Sequence, residues 1–137
     1  MSVSFQEINP VEIDAQWSKQ PFQGFSLDSR KVVSGQIFIA LTSYSQPEKT
    51  RAFAESALVN GALAIISETE LGVANEWVCS DVRQRMGEWQ ERYLKRIDPA
   101  VPVRIIAVTG TNGKTTISRL VAELISSQQQ RCAVMGD

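Results

Sequence analysis

Apolar and polar positions along the middle of the chain change period in a readable way. Residues 36–42 (QIFIALT) form a nearly continuous apolar run rich in β-formers, as in a strand buried on both faces. Ser34-Gly35 marks the turn into it. Phe53, Ala54, Ala57 and Leu58 then fall at helical spacing, and Gly61 stands where that helix would stop. Residues 62–67 (ALAIIS) predict a second buried strand, and residues 76–80 (EWVCS) a short third one. The clearest helix follows. Val82, Met86, Trp89, Tyr93 and Ile97 advance by four, three, four and four, so they share one face. Arg83, Arg85, Glu88, Glu91, Arg92 and Lys95 largely occupy the other side, which reads as solvated. The first twenty residues are too mixed for any element to be assigned.

Pro99 and Pro102, within residues 96–104 (RIDPAVPVR), break the helix and favour an extended connector. The expected division is one domain over 1–98 and a second over 99–137. In the second, residues 105–110 (IIAVTG) predict a buried strand. Residues 113–130 predict a helix burying Ile117, Leu120, Val121, Leu124 and Ile125. Residues 132–137 (CAVMGD) predict another strand. Strand, glycine loop, helix and strand make one βαβ unit of a parallel sheet, so the expected class is α/β. One such unit cannot cover both faces of its sheet, and its exposed strands could support self-association.

The glycine loop carries the chemistry. A triphosphate needs backbone N–H groups aimed at its oxygens, a positive charge and a hydroxyl for Mg²⁺. In VTGTNGKTT (residues 108–116), Gly110 and Gly113 let the backbone approach the phosphates. The helix starting near Lys114 directs its unpaired amides at the anion. Lys114 can bridge the β- and γ-phosphates of ATP, and Thr115 can ligate the metal. Position 108 is valine where the common P-loop pattern has glycine, so this loop is a shorter variant.

Composition narrows the remaining options. Fourteen basic against 15 acidic residues, a net charge of −1, argue against a nucleic-acid surface. There is no histidine, which removes Ser-His and Cys-His catalysis and the commonest zinc ligand. Cys79 and Cys132 are expected to be buried thiols rather than a disulfide. Residues 1–10 lack the pattern of a signal peptide, and no run approaches membrane-spanning length. The expectation is therefore a soluble cytoplasmic protein.

The loop preceded by RIIA resembles the ATP loop of the Mur ligases, the amide-forming enzymes of peptidoglycan synthesis. LDSRKVVSGQIFIAL and AFAESALVNGALAIIS, upstream, resemble the UDP-binding domain of that family's third and fourth ligases. LDSR, TGTNGKTT and AVMG favour the third ligase, which adds a diamino acid, over the fourth, which adds D-Ala-D-Ala. Asp137 departs from the residue usual after AVMG. The resemblance implies a small N-terminal α/β UDP-binding domain followed by the first βαβ unit of a P-loop-type ATPase domain. It implies ATP and Mg²⁺ as cofactors and UDP-MurNAc-L-Ala-D-Glu as substrate. It further implies an acyl-phosphate route to the new amide with meso-diaminopimelate or L-lysine.

By residue, the resemblance implies that Gly110, Thr111, Asn112, Gly113, Lys114, Thr115 and Thr116 form the ATP loop, with Lys114 catalytic and Thr115 on the metal. Leu27 and Ser29 would contact the uracil side of the substrate, and Ser43, Tyr44 and Ser45 another part of it. QPEKTRAF stands where the family usually has D-G-x-x-F/Y, a departure at that second contact. Asp28 and Arg30 read as a mutual pair or a local cap. The chain would correspond to the N-terminal part of such a ligase and would not ligate alone. An independent P-loop NTPase and a non-catalytic nucleotide-sugar-binding module are the alternative readings.

Overall fold

The computed structural model describes residues 2–98, 106–128 and 132–135. Contacts divide the chain into two compact units, Met1–Val101 and Pro102–Asp137.

The first unit is built on a four-stranded parallel sheet in the order β3-β4-β5-β6. A two-stranded antiparallel ribbon, β1 (Val3–Ser4) with β2 (Pro21–Phe22), precedes it. In the sheet, β3 (Phe25–Ser26) pairs with β4 (Ile37–Ala40), β4 with β5 (Ala64–Ser67), and β5 with β6 (Glu76–Val78). Phe38 lies opposite Ile65 and Ile39 opposite Ile66. The two-residue period of a strand sends alternate side chains to opposite faces, and each face has its own core. Ile37, Ile39, Ala64 and Ile66 join Val82 and Trp89 of α3 (Val82–Ile97), together with Phe5, Trp17 and Phe22. Phe38, Ala40 and Ile65 join Ala54 and Ala57 of α2 (Glu48–Val59). Continuous apolar strands are what a sheet covered on both sides requires.

Phe5, on the one-turn helix α1 (Phe5–Ile8), is fully buried. Its ring centroid lies 5.2 Å from Trp89, 5.7 Å from Trp17 and 5.9 Å from Trp77. The segment with no legible pattern thus supplies the centre of the larger core. The long helix behaves as its spacing predicts except at one end: Ile97, assigned to the packed face, is 42% exposed, because its last turn extends beyond the cores just described. Ion pairs Arg85–Asp81, Arg92–Glu88 and Lys95–Glu91 lace its outer side at i,i+4 spacing.

Only residues 68–75 return the chain from β5 to β6, with no helix between. The Glu76 carboxylate holds this short crossover. It accepts the Ser67 hydroxyl at 2.6 Å, the Leu71 amide at 2.8 Å and the Gly72 amide at 3.0 Å.

In the second unit the helix forms as expected: α4 spans Lys114–Ser127. The flanking strands do not. Residues 106–110 and 132–135 carry no ladder hydrogen bonds, and the remaining residues of both predicted strands lie outside the described ones. The expected buried face of α4 is open as well. Ile117, Leu120 and Leu124 are 50%, 54% and 66% exposed, while Val121 and Ile125 are half-buried. A strand exists only through ladder bonds to a neighbour, and a helix face is buried only by a layer laid on it. Among the described residues this unit supplies neither. Cys132, expected inside, is exposed for the same reason, whereas Cys79 is buried. The proline connector lies outside the described residues.

Candidate functional site

At the carboxyl ends of β3 and β4 the sheet opens into a groove of about 550 Å³. In open parallel sheets this edge is where ligands bind, because loops diverge there and leave backbone groups unpaired. Leu27 and Ser29, Phe38 and Leu41, and Thr50 and Phe53 of α2 line the groove. Leu27 is 58% exposed and offers an apolar surface, while Ser29 is buried.

The turn carrying Leu27 and Ser29 is firmly built. Ser26 Oγ donates to the Asp28 carbonyl at 3.0 Å, and the Asp28 carboxylate accepts the Arg30 amide at 3.0 Å, capping a short 3₁₀ turn at Ser29–Lys31. The Arg30 guanidinium grips the same carboxylate through Nε at 3.1 Å and Nη2 at 3.0 Å, and so holds its pKa below the usual range. Asp28 and Arg30 pair with each other, as the sequence suggested. From α2's end, Asn60 Nδ2 donates to the Ser29 carbonyl at 2.9 Å.

Ser43, Tyr44 and Ser45 stand apart from Leu27 and Ser29: none of the three lines the groove. Tyr44 is 89% exposed, its ring centroid 5.4 Å from the Arg83 guanidinium carbon. Ser43 Oγ accepts the Gln46 amide at 3.2 Å, so its hydroxyl shapes the approach to α2. Thr50 connects the two regions. It is 2% exposed, lines the groove, and accepts the Ser43 amide at 3.3 Å. The sequence places Phe53 in a helix and Arg83 on a solvated helix face, and nothing in it links them, Thr50 or Glu68 to this edge, because elements far apart in the chain bring them there.

The glycine loop enters α4 through Gly113, whose φ of +79° is left-handed and suits glycine. Lys114, at the first helical position, is exposed, as are Thr115 and Thr116. Gly110, Thr111 and Asn112 are exposed too, so the whole segment from Gly110 to Thr116 is solvent-accessible. A helix N-terminus with an ammonium group and two hydroxyls in its first turn suits phosphate oxygens. For Mg²⁺ the loop offers neutral oxygen ligands, the threonine hydroxyls and the Asn112 side-chain carbonyl, and no carboxylate. Among the described residues no group of three His, Cys, Asp or Glu side chains could hold a metal ion. No described helix is long and apolar enough to cross a membrane.

Comparison with known proteins agrees with this architecture, although no protein-family model matches the chain. The chain is 34% identical over 116 residues to the UDP-N-acetylmuramoyl-L-alanyl-D-glutamate–2,6-diaminopimelate ligase of Syntrophomonas wolfei, covering 82% of this chain and 23% of that protein. The Haemophilus influenzae enzyme of the same name is 36% identical over 118 residues, covering 80% and 24%. A solved structure of a ligase of that name is 83% identical, with a TM-score of 0.83 over 99% of this chain and 28% of its own. The MurF ligase of Thermotoga maritima, solved with ADP, superposes with a TM-score of 0.57 at 24% identity, a likeness of fold alone.

A parallel sheet with an open carboxyl edge and a helix packed on each face places the first unit in the α/β class. Within it, the chain belongs to the Mur ligase family, on the side of the diaminopimelate-adding members that these relatives represent. It spans about a quarter of the length of the curated relatives it matches.

Proposed function

We propose that the chain supplies the uridine-substrate recognition unit and the ATP loop of a ligase that adds 2,6-diaminopimelate to UDP-MurNAc-L-Ala-D-Glu. The observation carrying this reading is the exposed Gly110–Thr116 loop at the start of α4, in a chain whose first unit presents the Leu27–Ser29 groove. The relatives' names supply the substrate class.

The chemistry follows from the weakness of a carboxylate as an electrophile: it is anionic and has no leaving group. Phosphorylating the D-glutamyl carboxylate by ATP gives an acyl phosphate, which the incoming amine attacks with loss of phosphate. For this chain the work is positioning and charge neutralisation. The backbone amides at Gly113 and Lys114 would face phosphate oxygens, and the Lys114 ammonium would offset their charge. Leu27 would pack against the uracil ring while Ser29 fixes its polar edge, and the loop at 43–45 would meet a more distal part of the carrier. Magnesium, held in part by Thr115, would supply further neutralisation of the phosphates.

Separate titrations of the 137-residue chain with UDP and with ATP test this reading. UDP binding that requires Leu27 and Ser29, together with ATP binding that requires Lys114, supports it. ATP binding without UDP binding would point to an independent NTPase. UDP binding without any ATP binding, even in a chain extended to the length of the relatives, would point to a non-catalytic nucleotide-sugar module. The chain by itself is proposed not to ligate, so ADP release coupled to amide formation would contradict that part.

A further inference from the structure

The Glu68–Arg83 ion pair sits beside the groove without lining it. After Ala40 the chain leaves the sheet through Leu41 and Thr42. Both main-chain polar groups of Thr42 are taken by this pair. The Thr42 amide donates to Glu68 Oε1 at 2.6 Å, and the Thr42 carbonyl accepts Arg83 Nη2 at 3.2 Å. Arg83 closes the fork on Glu68 through Nε to Oε2 at 2.9 Å and Nη2 to Oε1 at 3.0 Å. Glu68 follows the end of β5 and Arg83 lies in the first turn of α3, so two separate elements converge on one peptide.

The guanidinium continues outward over the Tyr44 ring. On the other side, the next amide, Ser43 N–H, is held by the buried Thr50 hydroxyl that lines the groove. The Thr42 hydroxyl meanwhile is buried with no hydrogen-bond partner among the described residues. An exposed ion pair by itself adds little stability. One that ties down a loop base and caps an aromatic ring does something more specific.

We infer that Glu68 and Arg83 are positioning residues that fix residues 43–45, and Tyr44 above all, in the orientation that meets the uridine-linked substrate. This inference rests on the reading that the 43–45 loop touches that substrate. It assigns no chemistry to Arg83 itself, which acts through Thr42 and Tyr44.

The test titrates UDP-MurNAc-L-Ala-D-Glu into the folded 137-residue chain and its variants, with amide hydrogen exchange read at residues 42–46. Tyr44→Ala and Ser43→Ala report on the loop, Arg83→Met and Glu68→Ala on the clamp. Arg51→Met, which breaks the exposed Arg51–Glu55 pair on α2, is the control for loss of a surface ion pair. The clamp variants are expected to weaken binding roughly tenfold, the worth of one charge-assisted hydrogen bond, and to speed exchange at residues 42–46. Glu68→Gln, which keeps an acceptor for the Thr42 amide, should lose less than Glu68→Ala, and the control should bind as the parent does. If the loop variants weaken binding while both folded clamp variants bind normally, the positioning role is wrong and the loop reading stands. If the parent does not bind, or the loop variants bind unchanged, the loop reading fails and takes the clamp with it.

Discussion

Helices α3 and α4 carry similar amphipathic patterns and meet opposite fates. In α3, Val82 and Trp89 are buried against Phe5, Ile39 and Ile66. In α4, Ile117, Leu120 and Leu124 present an equally regular apolar face that stays half open. Hydrophobic periodicity states which side of a helix could be buried; only a layer supplied from elsewhere in the fold buries it. The first unit has a sheet with a core on each face. The second, among its described residues, has a helix and the loop that starts it.

The contrast is broken most directly by truncating one residue in each helix. Trp89→Ala should destabilise the first unit by about 3–5 kcal/mol, whereas Leu120→Ala should cost less than about 0.5 kcal/mol. Urea unfolding followed by circular dichroism measures both. Equal losses would mean that α4 is covered after all. A smaller effect is expected at Gly61, where the chain turns from α2 toward β5 with φ of +102°. An added Cβ there would come within 3.0 Å of the Ser34 Cα, so Gly61→Ala should cost about 1–3 kcal/mol in the same assay. A neutral result would show that this joint of the first unit is looser than its contacts suggest.

Acidification should sharpen the comparison by a smaller amount. Glu68 lies below its ordinary pKa of 4.5, chiefly because Arg83 donates hydrogen bonds to its carboxylate, with the Thr42 amide adding to the effect against desolvation. The folded state therefore binds that proton less readily than the unfolded chain. The stabilisation is present above about pH 4.5 and is lost as pH falls through the lower folded value. Glu7, lowered mainly by hydrogen bonds from Ser4, acts in the same direction. Urea midpoints at about pH 6 and about pH 3 should differ less in Glu68→Gln than in the parent chain. An identical pH response in both would remove Glu68 from the account.

Most long elements were legible because their periodicity is strong. The strands around Ile37–Ala40 and Ala64–Ser67, and helices α2, α3 and α4, follow from spacing, glycine stops and apolar runs. The first twenty residues were not. Their strand is two residues long and their two helical segments, Phe5–Ile8 and Gln16–Lys19, are single turns, too short to show a period, and Phe5 becomes central through rings from distant elements, Trp77 and Trp89 among them. Strands 105–110 and 132–137 are expected from apolar runs, yet their described parts, residues 106–110 and 132–135, have no ladder, which an apolar run needs to become a strand. Of the candidate site, the glycine loop is proposed from local spacing, and Leu27 and Ser29 from resemblance. Glu68 and Arg83 could not, since their bonds to Thr42 span 26 and 41 positions and leave no local pattern.

The central claim is that the two units carry separable nucleotide sites, one for the uridine carrier and one for a triphosphate. Titrating UDP and ATP in parallel into the parent chain and Lys114→Met tests it most directly. The account predicts that the substitution weakens ATP binding at least roughly tenfold, the loss of a charge-assisted phosphate contact, and leaves UDP affinity unchanged. ATP bound equally well by both proteins, or UDP weakened alongside ATP, would contradict it.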